Sequence, residues 1–216
     1  MRTEGDQAVA GERFLAHPRR AVRAGGLILL AYATIAALVP VGPFPLDESW
    51  SDAMRRMHTP RLEQLALRFD WLGRAVGVIM LLLAVGLILG WARRWLALIT
   101  FAVAEGTSAV LSAVSKALLE RPRPPDGVLH PISTSFPSGH TSYASVTCVA
   151  LVLLFTRPGA GRRAWWIAAL LGIAGMGWSR TFLHVHWLSD VIAGGLLGAG
   201  VALVVFGGAQ LRAPRR

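Results

Sequence analysis

The stretch Ser179–Asp190, SRTFLHVHWLSD, places one arginine, two histidines and one aspartate between long apolar runs. Titratable groups are costly at a membrane boundary and there usually mark function. His186 and Asp190 are four residues apart, so a helix would place them on one face. A carboxylate beside an imidazole fixes its tautomer and raises its basicity. Arg180 adds a planar fork of donors suited to phosphate, so we expect an anion-handling site here.

The composition around this stretch is that of a membrane protein. Of the 216 residues, 54% are hydrophobic, and the mean hydropathy is +0.50. These values lie far above those of soluble proteins. The net charge of +10 is concentrated in short turns, without the basic stripe of a nucleic-acid binder. The single cysteine, Cys148, excludes an intramolecular disulfide and a cysteine-rich metal site, and favours a small buried hydrophobe.

The apolar runs predict an all-α, polytopic membrane protein with a six-helix bundle in a single domain, residues 1–216. Residues 1–23 form a basic cytoplasmic tail. A cleaved signal peptide is the alternative for the first run, but its length and the lack of a small-residue cleavage site favour a retained span. The predicted spans cover residues 24–41, 62–91, 95–118, 140–155, 164–182 and 187–206.

Two further features of these runs predict local structure. Between Gly42 and Pro60, Asp47 can cap a short amphipathic helix at the membrane interface, with an ordinary loop as the alternative. Gly194 and Gly198 form a GxxxG pair, which predicts close approach of the sixth helix to a neighbour.

The distribution of basic residues predicts the orientation. Six spans place both termini on one side, together with thirteen of the 22 basic residues. The positive-inside rule then puts the termini in the cytoplasm and the motif-bearing loops outside. Five arginines within residues 55–74 oppose this assignment: Arg55, Arg56, Arg61, Arg68 and Arg74. We therefore expect a protein of the inner or plasma membrane whose site faces the extracytoplasmic side.

Three polar clusters fall on that same face: Lys116–Pro124 (KALLERPRP), Pro137–His140 (PSGH) and Ser179–Asp190. A basic pair at a helix end is ordinarily a snorkelling anchor, but the three clusters in this order favour one site in residues 116–190. The groups in these clusters are suited to binding phosphate, because they include three cations, a hydroxyl and a glycine N–H at a helix N-terminus. The predicted phosphate-binding residues are Lys116, Arg123, Ser138, Gly139 and Arg180.

Two histidines remain for proton transfer and bond formation. One must be neutral to attack phosphorus, and the other must be protonated to give a proton to the leaving oxygen. Because Asp190 lies behind His186, we predict His186 as the nucleophile. His140, beside the phosphate-binding Ser138 and Gly139, is then the predicted general acid.

The pattern KX6RP, PSGH and SRX5HX3D resembles that of the type 2 phosphatidic acid phosphatase superfamily, the lipid phosphate phosphatases. All three motifs match without a substitution, and the six-span layout resembles the bacterial membrane members over nearly the whole chain. The resemblance implies a metal-independent phosphatase without a cofactor, acting through a phosphohistidine on His186 that Asp190 orients and water releases. No carboxylate cluster or His/Cys ligand set of metal-binding spacing is visible in the sequence.

The motifs leave the substrate open. A phosphorylated lipid in the bilayer is the expected partner, and a polyprenyl diphosphate is the leading candidate because an outward site suits carrier recycling. Phosphatidylglycerophosphate, phosphatidic acid, phosphotransfer to another alcohol and non-catalytic lipid binding are alternatives. A vanadate-dependent haloperoxidase shares such a pocket, but the six apolar runs argue against it.

Three residues near the motifs stay unassigned. Glu105 and His184 are interpreted as structural more readily than as catalytic, and Arg121 as a second anion contact or a solvated side chain.

Overall fold

The computed structural model describes residues 13–39 and 42–213, and every regular element within them is an α-helix. The prediction of an all-α protein is confirmed. Eight helices lie in these residues: α1 (Pro18–Leu38), α2 (Pro45–Arg56), α3 (Pro60–Gly73), α4 (Ala75–Trp91), α5 (Trp95–Leu119), α6 (Gly139–Phe155), α7 (Arg162–Phe182) and α8 (Leu188–Arg212).

The helices begin where the sequence supplies suitable chemistry. Pro18, Pro45 and Pro60 open α1, α2 and α3, where the absent proline N–H would have no helical partner in any case. The Ser138 hydroxyl accepts the Thr141 N–H and caps α6. The proline-rich segment between α5 and α6 contains no helix, as its composition predicts.

The bundle is built around α8, which packs against α1, α2, α5, α6 and α7. Glycines allow the closest of these approaches. A Cβ on Gly194 would lie 2.6 Å from the Ser138 carbonyl, and one on Gly198 would lie 2.3 Å from the Ser142 carbonyl. The prediction that this glycine pair packs against a neighbouring helix is confirmed, and the neighbour is α6.

Fewer helices meet the length and hydropathy of a membrane span than the six predicted. Three of the described helices do so, namely α1, α5 and α8, and α3 with α4 makes a fourth if this pair, bent by 57°, counts as one span. The remaining two are marginal for a physical reason: α6 is apolar but only 17 residues long, and α7 carries arginines at both ends. The first predicted span was placed at residues 24–41, of which 40 and 41 lie outside the described residues.

Helices α2 and α3 cover the end of α7 and the turn that follows it. Met54 of α2 and Ala66 of α3 form a buried cluster with Phe182, Leu183 and Val185. The predicted second span is therefore divided at Arg74, and its first part, α3, lies over the end of the bundle that carries the motifs. The predicted short helix exists as α2, whereas its location at a membrane interface stays a prediction.

Candidate active site

Four helix ends bring the three motifs together. Lys116 lies in the last turn of α5 and Arg180 in the last turn of α7, while His140 and Asp190 lie in the first turns of α6 and α8. The helices alternate in direction, so all four ends meet at one end of the bundle. Residues up to 74 positions apart in the sequence are thereby gathered into one site.

His186 and Asp190 are neighbours, but not on one face of a helix as the spacing suggested. His186 lies in the turn before α8, whereas Asp190 is the third residue of α8 and accepts the Trp187 N–H at 2.9 Å. The carboxylate thus caps the helix and also faces the imidazole, with Asp190 Oδ2 3.5 Å from His186 Nδ1. Ser135 donates its hydroxyl to the same oxygen at 2.5 Å.

Arg123 defines the tautomer of His186. Its Nη1 lies 3.2 Å from His186 Nε2. A guanidinium only donates hydrogen bonds, so Nε2 must carry the lone pair and Nδ1 the proton that faces Asp190. The other Arg123 donors reach the carbonyls of Val185, Ser133 and Thr134 and the Ser133 hydroxyl. The unprotonated nitrogen of His186 thus lies directly against the Arg123 guanidinium.

Burial favours the same neutral form of His186. The side chain is 5% exposed, and this burial holds the pKa of the imidazole well below its ordinary value, against the opposing effect of Asp190. The imidazole of His186 is therefore unprotonated at neutral pH.

Arg121 was missed by the motif reasoning, and it is neither solvated nor positioned as an anion contact. Its side chain is buried and bridges two carboxylates: Asp190, and Asp47 of α2 at 2.8 Å. Asp47 also accepts the Ser189 N–H at 2.8 Å and the Ser189 hydroxyl at 2.7 Å. These contacts fix the carboxylate behind His186. A capping role for Asp47 was visible in the sequence, but its pairing with Arg121 required the fold.

Arg180 is the site cation with the most unused donors. Its side chain is 2% exposed, and Nη1 bonds Asp70 Oδ1 at 2.5 Å. Nε and Nη2 are buried without a hydrogen-bond partner in the described part of the chain. Unmade hydrogen bonds of a buried charged group are costly, so these N–H groups are suited to a ligand's oxygens.

His140 lies beside the same carboxylate. Its Nε2 is 3.5 Å from Asp70 Oδ1 and makes no hydrogen bond within the described residues. Gly73 lies against the ring, because a Cβ there would approach His140 Cδ2 to 2.1 Å. Asp70 was also missed by the motif reasoning, although an acid inside a predicted span is a signal of function in itself.

The remaining predicted ligands have mixed environments. Lys116 donates from Nζ to the Thr134 carbonyl at 2.7 Å. Gly139 opens α6, and a Cβ on it would meet only Ser112 Oγ, at 4.0 Å, so space remains beside its N–H. The Ser138 hydroxyl is fully buried and occupied as the α6 cap, while its N–H bonds the Asp190 carbonyl at 3.0 Å.

The unassigned residues have structural partners. His184 adopts φ +50° in the turn after α7, and its Nδ1 lies 3.1 Å from the Ser51 hydroxyl, away from the motif residues. Glu105 accepts the Thr147 hydroxyl of α6 at 2.5 Å, as the structural interpretation predicted. Among residues 13–39 and 42–213, no group of three or more His, Cys, Asp or Glu side chains is placed to hold a metal ion.

The family model of the PAP2 superfamily matches residues 97–213 of the chain. Among curated proteins, "Phosphatidylglycerophosphatase B" of Bacillus subtilis is 30% identical over 167 residues, which cover 74% of this chain and 82% of that protein. "Undecaprenyl-diphosphatase" of Sulfolobus acidocaldarius is 34% identical over 113 residues, 49% of this chain. The chain matches about half the length of that second relative, 52%.

Two solved structures share the fold. The transmembrane PAP2-type phosphatidylglycerolphosphate phosphatase of Bacillus subtilis superimposes with a TM-score of 0.77 at 25% identity, covering 89% of this chain and 98% of that one. LpxE of Aquifex aeolicus superimposes with a TM-score of 0.60 at 23% identity, covering 78% and 96%. The second likeness concerns the fold alone.

Proposed function

The chain belongs to the PAP2 superfamily, and on that premise we propose that it is a membrane hydrolase that removes a terminal phosphate from a lipid through a phosphohistidine intermediate. The observation that carries the proposal is the orientation of His186. Its Nε2 lone pair faces a phosphate-binding cation while its Nδ1 proton faces Asp190. A nucleophile, its orienting carboxylate and unpartnered cationic donors thus converge on one end of the bundle.

In the first step, His186 Nε2 attacks phosphorus and the bond from phosphorus to the leaving oxygen breaks. His140 gives its proton to that oxygen, and Asp190 stabilises the positive charge that develops on the His186 ring. Arg180 directs Nε and Nη2 to the phosphoryl oxygens, with Lys116, Arg123 and the Gly139 N–H as further donors. These donors are fixed before the reaction, which is the condition for strong electrostatic stabilisation.

In the second step, water releases the phosphate. His140, now neutral, takes a proton from the attacking water. The water oxygen bonds phosphorus, the phosphorus–nitrogen bond breaks, and His186 returns to its neutral form with inorganic phosphate as product. No metal or cofactor is needed in this scheme.

An apolar groove supports a lipid substrate. The groove has a volume of about 660 Å³, lies between α4, α5 and α6, and reaches Lys116 and His140 at one end and Leu98 at the other, with Glu105 between them. Leu98 and Lys116 are eighteen residues apart on α5, which corresponds to about 27 Å of groove length. Small side chains on α5 form one wall: Ala102, Gly106, Ala109 and Ala113.

The groove can be tested with matched substitutions on α5. Ala109→Phe would fill the groove, so we expect a higher KM for a long-chain lipid phosphate and an unchanged KM for a short-chain analogue. Val110→Phe is the control, because Val110 is already exposed and lies outside the groove. Equal effects of Ala109→Phe on both substrates would remove the groove from substrate binding.

For the substrate, we favour a polyprenyl diphosphate, as the outward orientation suggests and as the name of the Sulfolobus relative supports. Phosphatidylglycerophosphate is the second candidate. It is favoured by the more extensive matches to Bacillus subtilis in sequence and in structure. Competition between the two lipids at equal concentration in mixed micelles, read as the ratio of kcat/KM values, would decide between them.

The proposal includes six spans in the inner or plasma membrane, α2 at the interface, cytoplasmic termini and an extracytoplasmic site. Orientation can be measured in a Cys148→Ala background with single cysteines and an impermeant thiol reagent on intact cells. Ile132→Cys in the loop before α6 should be labelled, and Ala160→Cys between α6 and α7 should not. The reverse pattern would invert the topology.

The central experiment measures phosphate release by detergent-purified protein in the presence of a chelator. We expect activity that survives chelation, is inhibited by vanadate and disappears in His186→Ala. His140→Ala should lose about a hundredfold or more. Activity in His186→Ala equal to that of the wild type would refute the covalent mechanism, and release of phosphate only when an acceptor alcohol is added would indicate a phosphotransferase.

A further inference from the structure

Asp70 of α3 is a buried acid inside a pocket built for an anion, and none of the three motifs contains it. Its side chain is 5% exposed. Oδ1 accepts Arg180 Nη1 at 2.5 Å and lies 3.5 Å from His140 Nε2, while Oδ2 accepts Arg74 Nε at 2.6 Å. One carboxylate therefore contacts both the main phosphate-binding cation and the proposed general acid.

The end of α3 also shapes the position of the His140 ring. Gly73 is one turn after Asp70, and its Cα approaches the ring so closely that a Cβ would overlap Cδ2 at 2.1 Å. The imidazole is thus held between the Asp70 carboxylate and the Gly73 backbone. This arrangement depends on the break between α3 and α4, which follows Gly73 directly.

A carboxylate at this point repels an incoming phosphate, so its presence needs a compensating role. Holding α3 to α7 would need only the contact with Arg180. The second neighbour, His140, must carry a proton when the leaving oxygen departs, and an adjacent negative charge stabilises that proton. The other charged group that acts on His140 is Arg180 from α7, which opposes the proton, while Lys116 of α5 lines the same groove.

Asp70 also determines which donors of Arg180 are available. By occupying Nη1, it leaves Nε and Nη2 as the unpartnered edge of the guanidinium. Because the guanidinium of Arg180 is planar, the contact at Nη1 also fixes the direction of its remaining donors. The same contact therefore orients the cation that is proposed to hold the phosphoryl oxygens.

We infer that Asp70 is a positioning residue for the leaving-group half of the reaction, pairing with His140 as Asp190 pairs with His186 and aiming Arg180 at the phosphoryl group. This inference rests on the proposed function. It assigns the two carboxylates opposite tasks. Asp190 accompanies a histidine that must be neutral to attack phosphorus, and Asp70 accompanies a histidine that must carry a proton when the leaving oxygen departs.

The test uses Asp70→Asn, which keeps the shape and removes the charge, on two phosphate monoesters that differ in leaving group. With a lipid alkyl phosphate, whose leaving oxygen needs the proton, we expect kcat to fall by about thirtyfold. With an aryl phosphate of low leaving-group pKa, we expect a fall of less than about threefold, because the acid contributes little. Glu63→Gln on the same helix is the control and should change neither rate, since Glu63 pairs with His58 outside the site.

A double-mutant cycle separates this role from simple structural support. If Asp70 acts through His140, His140→Ala with Asp70→Asn should be no slower on the alkyl substrate than His140→Ala alone. In the single Asp70→Asn variant, the alkaline limb of the kcat–pH profile should also move to lower pH, because protonated His140 has lost its partner.

Equal losses on both substrates together with multiplicative losses in the cycle would overturn the inference. That result is distinct from failure of the proposed function. The latter would appear in the wild type as absent phosphate release or in His186→Ala as undiminished activity. Asp70→Asn is interpreted only against an active wild type, at a temperature where circular dichroism shows both proteins folded.

Discussion

Replacement of Arg121 by methionine should destabilise the protein and misplace Asp190 in one step. Methionine keeps most of the length of the side chain but removes the charge and all donors. Asp47 and Asp190 are 2% and 0% exposed and share this one guanidinium. The substitution therefore leaves two buried carboxylates without their cation.

The expected loss of stability in Arg121→Met follows from the burial of these charged groups. Breaking a buried ion pair by removing one partner costs about 3–5 kcal/mol, because an uncompensated charge remains. For a chain of this size, about 2–4 °C in Tm corresponds to each kcal/mol, so a decrease of roughly 6–20 °C is expected. Asp47→Asn in the same chain removes one of the two stranded charges. The double variant should thus be more stable than the sum of the single effects predicts, by about 0.5–3 kcal/mol.

The assay is thermal unfolding in detergent, followed by phosphate release below the lower Tm. Arg56→Met is the matched control, because Arg56 is exposed on α2 and its loss should change stability by less than about 0.5 kcal/mol. We also expect Arg121→Met to lose at least about tenfold in kcat while folded, since Asp190 loses a fixed partner. A Tm within about 2 °C of the wild type, or strictly additive single effects, would show that the bridge does not stabilise the site.

Three further outcomes follow from the structure. Gly73→Ala should displace the His140 ring and reduce kcat on alkyl phosphates by about tenfold or more, whereas Gly90→Ala on α4, where a Cβ meets open space, should be neutral in the same assay. Gly198→Ala should lower the free energy of unfolding by about 1–3 kcal/mol by forcing α8 from α6, and Gly208→Ala on the same helix should not. Burial lowers the pKa of His186, so below about pH 6.5 the folded state binds fewer protons than the unfolded chain. The free energy of unfolding therefore decreases as the pH falls below this value, and this histidine has no such effect above it. Between pH 6.5 and 5, the wild type should therefore lose about 2 kcal/mol more than His186→Gln, and parallel Tm profiles of the two proteins would contradict this assignment.

The sequence predicted the bounds of α5 and α6 well because their apolar runs are long and are preceded by arginines or a serine cap. The third predicted span, residues 95–118, differs from α5 by one residue, and the fourth differs from α6 by one. The break between α3 and α4 was not predicted, since residues 62–91 become steadily more apolar without a proline to interrupt them. Which of the helices cross the bilayer stays a prediction.

The candidate site also has a part that the sequence predicts and a part that it does not. The cations and histidines lie in short motifs, so their types and order could be predicted without the fold. The carboxylates that hold them were not, because Asp47 and Asp70 lie 74 and 110 positions from their arginines, Arg121 and Arg180. Spacing within the chain says nothing about such contacts. Even the pair at four-residue spacing, His186 and Asp190, meets across a helix start and not along a helix face.

The two long-range carboxylates share a property that leads to a last prediction. Both lie outside residues 97–213, the region matched by the family model. A fragment beginning at Trp95 therefore carries all three motifs but lacks Asp47 and Asp70, so that Arg180 loses its carboxylate partner and Arg121 retains Asp190 alone of its two carboxylates. Since a buried charge without a partner is strongly unfavourable, we expect this fragment to aggregate in detergent and release no phosphate.

Co-production of residues 1–94 with this fragment should restore activity, because the cut falls in the turn between α4 and α5. Residues 1–94 also supply α1 and α4, so a second comparison is needed to separate the effect of Asp47 and Asp70 from that of these helices. The 1–94 piece with Asp47→Asn and Asp70→Asn should assemble less well and restore less than about a tenth of the rate, whereas the same piece with Asp52→Asn, an exposed acid of α2, should restore it fully. Phosphate release by the fragment alone would show that the motif-bearing half forms the site without these carboxylates. The pairing of Asp47 and Asp70 with the two arginines would then have no part in forming the site.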